Sequence, residues 1–335
     1  MGVKLFITIL LLVSFSVNSS ADRKSDHFDG KAFYNPQGNN VKTLWDLIEW
    51  KWNAHPVLWP ENVSNKHYPV PTFSESDKAV VTFINHASFL IQLPGLNVLT
   101  DPVFSQRASP LKFAGPKRVR APGIIIDDLP PIHVVIISHN HYDHLDLESL
   151  KLIDEKFHPL FLVPLGDGKL LKSEGLQIVR EMDWWEESKI RENIITFAPA
   201  QHWSGRKPWD KNESLWGSFM ITTPSSKIYF AGDTGYSDHF LQIKSRLGAP
   251  DVALLPIGAY KPRYFMKTHH MNPEEALRAH IDLGAATSVG MHFGTFQLSD
   301  EGIEEPVSDL RLARKQHQVK EDHFIVLDQG DSIKR

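Results

Sequence analysis

The feature that most constrains the fold of this chain is a six-residue segment that holds three histidines and one aspartate. The segment is His139-Asn140-His141-Tyr142-Asp143-His144, and it follows the apolar run 134–137 and a single serine. The length and β-branched content of that run predict a buried strand. Imidazole and carboxylate groups are common ligands of Zn²⁺ and of related divalent ions. The segment therefore predicts a metal site at the end of a strand.

Three further strand-like runs also end near side chains that can bind a metal. These side chains are His202, Asp233 and His292. Side chains at strand ends meet at one edge of a sheet, where α/β folds commonly place their functional sites. We therefore expect all of these groups to share one site.

The spacing of the side chains predicts two metal ions. His139 and His141 point to the same side of an extended segment, so both imidazoles can reach one ion. If the chain then turns, Asp143 and His144 face a second ion. The predicted ligands are His139, His141 and His202 for the first ion and Asp143, His144 and His292 for the second, with Asp233 bridging both. Without thiolate ligands this set suits Zn²⁺, although Mn²⁺ or Fe²⁺ could use the same groups.

The composition excludes several classes of protein. The 335 residues are 41% hydrophobic and carry a formal net charge of −4, with no cysteine. This hydrophobic content is typical of a globular chain, and it excludes disorder, a collagen-like fold and a protein with many membrane spans. The negative net charge argues against nucleic-acid binding by bulk electrostatics. The absence of cysteine from the sequence excludes disulfides, a thiolate metal site and a cysteine nucleophile.

Residues 1–21 have the pattern of a secretory signal peptide. Lys4 precedes the apolar run 5–17, and the small residues Ser19-Ser20-Ala21 follow that run. The run is shorter than the roughly 20 residues that a membrane-spanning helix requires, which favours cleavage over retention as an anchor. The mature chain is therefore predicted to be exported to a periplasmic or secreted location, with membrane association left open.

The remaining chain divides into an N-terminal extension over residues 22–78 and a larger domain over residues 79–335, which holds all of the predicted metal ligands. The extension is predicted to begin as a loose polar leader over 22–41 and to continue with a helix over 42–53 in a Trp-rich stretch. Those tryptophans suit either packing on the domain, which is favoured, or the headgroup level of a bilayer. From residue 79 short strand-like runs alternate with helical patterns, which predicts an α/β or α+β sandwich.

Together the motifs resemble those of the metallo-β-lactamase superfamily and, more narrowly, of the N-acyl-phosphatidylethanolamine-hydrolysing phospholipase D family. The wider resemblance depends on the segment 139–146, His202, Gly232-Asp233-Thr234-Gly235-Tyr236 and His292. The narrower one depends on Gly115-Pro116-Lys117-Arg118, Gly258-Ala259-Tyr260-Lys261-Pro262-Arg263, Phe265-Met266-Lys267, Pro273-Glu274-Glu275-Ala276 and His292-Phe293-Gly294-Thr295-Phe296. The resemblance extends over about residues 33–328.

The resemblance implies a single αββα sandwich with two zinc ions in a cleft at the sheet edges. It implies the ligand sets given above, and it assigns a further site histidine, His270, in Thr268-His269-His270-Met271-Asn272-Pro273. The implied reaction is hydrolysis of the phospholipid N-acyl-phosphatidylethanolamine, at a membrane surface, to N-acylethanolamine and phosphatidic acid. A homodimer is implied as well.

Hydrolysis of a phosphodiester requires a nucleophile and neutralisation of the charge that develops in the transition state. Two divalent ions about 3.5–4 Å apart supply both, by deprotonating a shared water that attacks phosphorus. Asp233 would hold the ions at that separation, and Asp143 would accept a proton from the water. His270 would stabilise the phosphoryl oxygens or protonate the leaving alkoxide.

Three other polar residues have structural interpretations. Asp101 follows a strand, and it is either a hydrogen-bond partner of a ligand imidazole or part of an Asp-Pro turn. Asp146 is predicted to cap the following helix. His86 lies between two apolar strands, and we interpret it as a hydrogen-bonded core residue.

Two other functions are compatible with the sequence. A lactonase or a soluble phosphodiesterase would use the same metal pair, but it would hydrolyse small water-soluble esters in a narrow polar cleft. A non-catalytic exported protein that binds zinc or lipid would bind its ligand without consuming it, and Asp143→Asn would leave that binding unchanged.

Overall fold

The computed structural model of the chain describes residues 25–38, 44–65, 69–74 and 76–335. The predicted signal peptide over residues 1–21 lies outside these residues. Within them, no helix has the length and apolar character needed to cross a membrane.

The described strands form two seven-stranded sheets. In chain order the strands are β1 (Val80–Asn85), β2 (Ser88–Leu93), β3 (Leu96–Thr100), β4 (Val134–Ile136), β5 (Leu160–Pro164), β6 (Val179–Met182), β7 (Glu187–Ile190), β8 (Asn193–Ala198), β9 (Ser218–Thr222), β10 (Lys227–Phe230), β11 (Val252–Pro256), β12 (Thr287–Met291), β13 (Phe324–Ile325) and β14 (Ser332–Lys334). The first sheet has the order β14-β1-β2-β3-β4-β5-β6, and the second has the order β13-β12-β11-β10-β9-β8-β7.

Among the described residues one α-helix precedes the first strand, and the other α-helices lie between strands along the chain. They are α1 (Leu44–Asn53), α2 (Leu147–Phe157), α3 (Gly168–Ser173), α4 (His239–Leu247), α5 (Arg263–Met266), α6 (Pro273–Leu283) and α7 (Glu305–His317). The start of α6 shows why the sequence forms a helix there. Asn272 accepts a hydrogen bond from the Glu275 backbone, the Glu275 side chain bonds back to the Asn272 backbone, and Pro273 occupies the first turn. Such a capping box satisfies two backbone donors that a helix start leaves unpaired.

Each sheet joins an antiparallel half to a parallel half. In the first sheet β1, β2 and β3 pair antiparallel, and β3 to β6 pair parallel. In the second sheet β7 to β10 pair antiparallel, and β10 to β13 pair parallel. The parallel strands end at the same edge of their sheet, so the loops that follow them can converge on one site.

The two sheets pack face to face, and helices cover their outer faces. Successive side chains of a strand point to opposite faces of the sheet. Accordingly Phe83 of β1 lies in the core between the sheets, whereas Ile84 packs with Leu150 of α2 on the outer face of the first sheet. Residues of α4, α6 and α7, such as Leu277, pack on the second sheet. The fold is therefore the predicted αββα sandwich.

Of the loose leader predicted over residues 22–41, the structure describes residues 25–38, and these are not loose. The other residues of the predicted leader lie outside the described part of the chain. His27 and Phe33 are buried, and Asn35 Nδ2 donates a hydrogen bond to the backbone oxygen of His202 at 2.8 Å. Asn35 Oδ1 accepts from the indole N–H of the buried Trp216 at 3.2 Å. Because these polar groups satisfy buried partners in the domain, the segment is ordered by contacts that composition does not show.

Helix α1 contacts the domain through one tryptophan and exposes two others. Trp50 is 5% exposed, its ring lies 4.8 Å from the Phe265 ring, and its indole N–H donates to Asp300. Trp45 and Trp52 are 78% and 87% exposed. The favoured prediction, packing on the domain, therefore applies to Trp50 but not to the two exposed tryptophans.

Candidate metal centre

The predicted metal ligands come from strand ends in both sheets. His139 follows β4, His202 follows β8, Asp233 follows β10 and His292 follows β12. His139, His144, His202, Asp233 and His292 are buried, and His141 and Asp143 are half-buried. The structure therefore brings together donor groups that lie up to about half the chain apart in sequence.

The first donor group consists of His139, His141 and His202, whose nitrogen atoms all lie within 4.8 Å of one another. The Nδ1 atom of His141 lies 2.8 Å from His139 Nε2 and 3.3 Å from His202 Nε2. These three residues are those predicted to bind the first ion.

The second donor group contains Asp143, His144 and His292, with His86 as an additional member. The Oδ2 atom of Asp143 lies 3.1 Å from His86 Nε2, 3.3 Å from His292 Nε2 and 3.5 Å from His144 Nε2. The sequence analysis missed His86 because a lone histidine between apolar strands gives no sign of its distant partner. It is buried and hydrogen-bonded as interpreted, but its partner belongs to this donor group.

Asp233 lies between the two groups. Its Oδ2 atom is 3.0 Å from His292 Nε2, 3.2 Å from His144 Nε2 and 3.9 Å from His202 Nε2. The carboxylate therefore contacts members of both groups, as a bridging ligand must.

The donor atoms fit divalent metal ions. Two donors in a tetrahedral zinc site lie about 3.4 Å apart, because each metal–ligand bond is about 2.1 Å long. The Oδ2 atoms of Asp143 and Asp233 lie 3.0 to 3.5 Å from the Nε2 atoms of His144 and His292. In addition, Asp233 Oδ1 and His144 Nε2 are buried and have no hydrogen-bond partner among the residues that the structure describes. Buried polar atoms rarely lack a partner, and a bound ion would supply one here.

The protonation states of His139, His202 and Asp233 suit metal binding. Burial lowers the pKa of His139 and of His202 well below the usual range, so both imidazoles are neutral at neutral pH. Burial opposes ionisation of Asp233, but His292 and His144 outweigh that effect and hold its pKa well below the usual range. Neutral imidazoles and ionised carboxylates are the forms that bind a metal. At His292 burial disfavours the charged imidazole, but Asp233 and Asp143 outweigh that effect and raise its pKa to about 9, so a metal ion would have to displace that proton.

Two of the imidazoles predicted to bind metal, those of His144 and His202, are oriented by hydrogen bonds at their Nδ1 atoms. His144 Nδ1 lies 2.6 Å from Asp101 Oδ2, and His202 Nδ1 lies 2.9 Å from the backbone oxygen of His269. Such partners fix the tautomer and the ring orientation of a metal ligand. Asp101 therefore occupies the position of an imidazole partner, which was one of its two predicted roles.

His270 borders the same site. Its Nδ1 atom lies 3.8 Å from Asp233 Oδ2, and 15% of its side chain is exposed. Arg263 holds the surrounding turn, since it donates a hydrogen bond to the His270 backbone oxygen at 2.9 Å and pairs with Glu275.

Asp146 stands at the start of α2, but its side chain does not cap that helix. Its carboxylate accepts hydrogen bonds from the Ser105 backbone at 3.0 Å, from the Ser105 hydroxyl at 2.8 Å and from Ser149. The prediction that Asp146 caps α2 is therefore wrong. Its carboxylate instead binds donors in the loop after β3, which the local sequence does not show.

Comparison with known proteins assigns the chain that carries this site to a superfamily. Residues 96–293 match the family model described as a β-lactamase superfamily domain. In fold the chain is similar to an isothiocyanate hydrolase from Delia radicum gut bacteria, with a TM-score of 0.61 at 21% identity over 76% of this chain and 98% of that one. The match to the family model, together with the clustered metal-binding groups, defines a metal-dependent hydrolase of the metallo-β-lactamase superfamily.

Two curated relatives place the chain in a narrower family within this superfamily. The chain is 38% identical over 328 residues to N-acyl-phosphatidylethanolamine-hydrolyzing phospholipase D 1 of Caenorhabditis elegans. The aligned region covers 90% of this chain and 92% of the relative. It is 44% identical over 225 residues to the mitochondrial N-acyl-phosphatidylethanolamine-hydrolyzing phospholipase D of Saccharomyces cerevisiae. That aligned region covers 65% of this chain and 48% of the relative. The chain belongs to the N-acyl-phosphatidylethanolamine-hydrolysing phospholipase D family.

Proposed function

We propose that this hydrolase is a zinc-dependent phosphodiesterase of the phospholipase D type. Its substrate would be N-acyl-phosphatidylethanolamine, and its products N-acylethanolamine and phosphatidic acid. The relation to the worm enzyme, at 38% identity over nearly the whole of both chains, is the observation on which this substrate depends. The two adjacent donor groups support the metal requirement.

When bound, two divalent ions supply a nucleophile at neutral pH by acidifying water, and they neutralise charge on the phosphoryl group. The protein residues hold the substrate and move protons. Asp143 and His270 keep 13% and 15% of their side-chain surface exposed, whereas His144 and His292 are completely buried. Asp143 and His270 are therefore positioned to contact the substrate.

In the proposed reaction, protons move between the reactants and the partly exposed side chains of Asp143 and His270. The oxygen of water forms a new bond to phosphorus while Asp143 accepts a proton. The bond between phosphorus and the ethanolamine oxygen breaks, and His270 donates an N–H proton to the leaving alkoxide. Exchange with solvent then removes the proton from Asp143 and restores the one on His270. Phosphatidic acid therefore retains the phosphate, and N-acylethanolamine leaves as an alcohol.

The test is turnover of N-acyl-phosphatidylethanolamine in mixed micelles made with ¹⁸O-labelled water. We expect the label in phosphatidic acid and not in N-acylethanolamine, because the water attacks phosphorus. A chelator and the Asp143→Asn variant should both abolish turnover. Asp238→Asn, which changes an exposed aspartate at the start of α4, serves as the matched control and should retain activity.

Intact lipid beside a metal-loaded protein would contradict the substrate assignment. Turnover of small lactones or soluble diesters by the same preparation would then support the alternative hydrolase. Lipid that binds unchanged, and equally in Asp143→Asn, would support the non-catalytic alternative.

Export, contact with a membrane surface and dimer formation are further proposals that depend on the sequence pattern and the family. The mass of the mature chain from its native host would test cleavage after Ala21. Sedimentation with phospholipid vesicles would test membrane contact, and the mass of the native assembly would test the dimer.

A further inference from the structure

We propose that His86 is a positioning residue of the second donor group, and that it donates an Nε2–H hydrogen bond that holds the Asp143 carboxylate in place. This inference depends on the proposed metal site but not on the proposed lipid substrate. Its test therefore measures metal binding rather than turnover.

The contact between the two side chains is direct and buried. His86 Nε2 lies 3.1 Å from Asp143 Oδ2, and His86 is 1% exposed. A carboxylate only accepts hydrogen bonds, so the proton of this contact lies on the imidazole nitrogen. His86 Nδ1 is buried and makes no hydrogen bond within the described residues, which leaves Nε2 as the nitrogen through which the ring acts.

The backbone of His86 is built to present the ring at this point. Its φ angle is +48°, a left-handed conformation in which histidine is enriched among non-glycine residues. Its amide donates to Thr295 Oγ1 at 3.1 Å, and its carbonyl accepts from the His292 amide at 2.7 Å. The second of these bonds ties the residue directly to a predicted metal ligand.

The neighbours of His86 hold the ring and the turn that carries it. The Phe296 ring packs edge-on against the imidazole, with the centroids 5.3 Å apart. The buried Arg118 donates from Nη1 to Asn85 Oδ1 at 3.1 Å, and its guanidinium lies 4.9 Å from the Phe296 centroid. The imidazole is thus held from its backbone, from its face and from the preceding residue.

A hydrogen bond from His86 restricts where the Asp143 carboxylate can point. Three imidazole nitrogens surround Asp143 Oδ2 at 3.1 to 3.5 Å, and only two of them belong to predicted metal ligands. The third is that of His86. Partners that orient a ligating carboxylate typically contribute about 10- to 100-fold in metal affinity.

The experiment compares His86→Gln with His86→Met. Both side chains are unbranched and of similar length, but only the glutamine amide can donate a hydrogen bond to Asp143. Zinc stoichiometry and chelator competition are measured on each variant, together with the unfolding midpoint of the chelated protein. His280→Gln, which changes a buried histidine bonded to Ser288, is the control for loss of an imidazole elsewhere.

We expect the wild type to bind two ions and His86→Met to bind one of them about 10- to 100-fold more weakly. His86→Gln should bind both within about threefold of the wild type, and His280→Gln should bind like the wild type. The unfolding midpoints of chelated His86→Gln and His86→Met should agree. A difference in zinc affinity between the two variants then cannot result from a difference in packing or stability. If His86→Met fails to fold, His86→Asn suits the left-handed backbone but is too short to reach Asp143.

Two results would overturn the inference. Wild-type affinity for both ions in His86→Met, or in His86→Asn, would show that the hydrogen bond is not needed. Equal loss of the second ion in His86→Gln and His86→Met would show that the imidazole itself is required as a ligand. A wild-type protein that binds no zinc would instead contradict the proposed function.

Discussion

The Nδ1 atom of His144 lies 2.6 Å from Oδ2 of Asp101, and both side chains are completely buried. The other oxygen of Asp101 accepts a hydrogen bond from the Ser138 backbone at 2.7 Å. The carboxylate is therefore held in place and keeps the His144 proton on Nδ1. As a result, Nε2 is left to face Asp143 and Asp233, which is the orientation that a metal ligand requires.

Asp101→Asn should weaken binding of the second metal ion by about 10- to 100-fold. Asp101 now accepts hydrogen bonds from three donors, namely His144 Nδ1, the Ser138 backbone and the Ser138 hydroxyl. An amide has only one accepting oxygen for them, so the imidazole loses its fixed orientation. Chelator competition with zinc measures the change. Asp146→Asn, which removes another buried carboxylate near the same loop, should reduce stability without reducing zinc affinity. Unchanged affinity in Asp101→Asn would contradict the orienting role.

His270→Gln should lower kcat for the phospholipid by about 10²- to 10⁴-fold, which is the usual contribution of a positioned proton donor. Zinc content should stay at two ions per chain, because His270 is not among the predicted ligands. Steady-state kinetics and metal analysis of the same preparation measure both quantities. His317→Gln on α7 is the control and should behave like the wild type. Loss of zinc from His270→Gln would show that the residue is a ligand.

Asp167 should make the free energy of unfolding depend on pH. Burial raises the pKa of its carboxyl from 3.8 to about 7, and hydrogen bonds from Ser214 and Asn140 offset only part of that effect. Folding therefore favours the protonated form, and stability should fall as the pH rises from about 4 to about 7. The loss is at most about 4 kcal/mol, at about 1.4 kcal/mol per pKa unit.

Asp167→Asn should remove this dependence, since an amide does not ionise. The stability of the variant relative to the wild type should increase between pH 4 and pH 7 and then stay constant. Urea unfolding at several pH values measures the difference. Parallel pH profiles for the two proteins would show that Asp167 does not titrate in this range.

Asn35→Ala should lower the free energy of unfolding by about 1–3 kcal/mol. The substitution leaves the indole N–H of Trp216 with one acceptor, the Ala200 oxygen at 3.0 Å, and removes the donor to the His202 backbone. A buried group that loses its partner costs about this amount. Urea unfolding measures the change, with the exposed Gln37→Ala as control. Equal stability of the two variants would mean that the segment before α1 is not part of the domain.

Most strands could be predicted from the sequence, and those that were missed share one property. No apolar run in the sequence predicts β6, β7 or β14, and all three are edge strands. An edge strand has one neighbour and exposed side chains, so its sequence can be short and charged, as in Glu187–Ile190. Interior strands such as β1 are buried on both faces, and their apolar runs can be recognised directly.

By itself the sequence determined the chemistry of the site. The segment from His139 to His144 holds four potential ligands within six residues. The ends of three other apolar runs indicated His202, Asp233 and His292. Ligand type and local spacing are properties of short segments, so they can be predicted without a fold.

Only the tertiary structure decided which groups support those ligands. His86 contacts Asp143 across 57 residues of sequence, and Asn35 contacts His202 across 167. The first pair joins two loops of the first sheet that are far apart in sequence, and the second joins the segment before α1 to the loop after β8. A lone histidine or asparagine has no periodicity or spacing that indicates such a partner, because the contact is set by packing between distant segments.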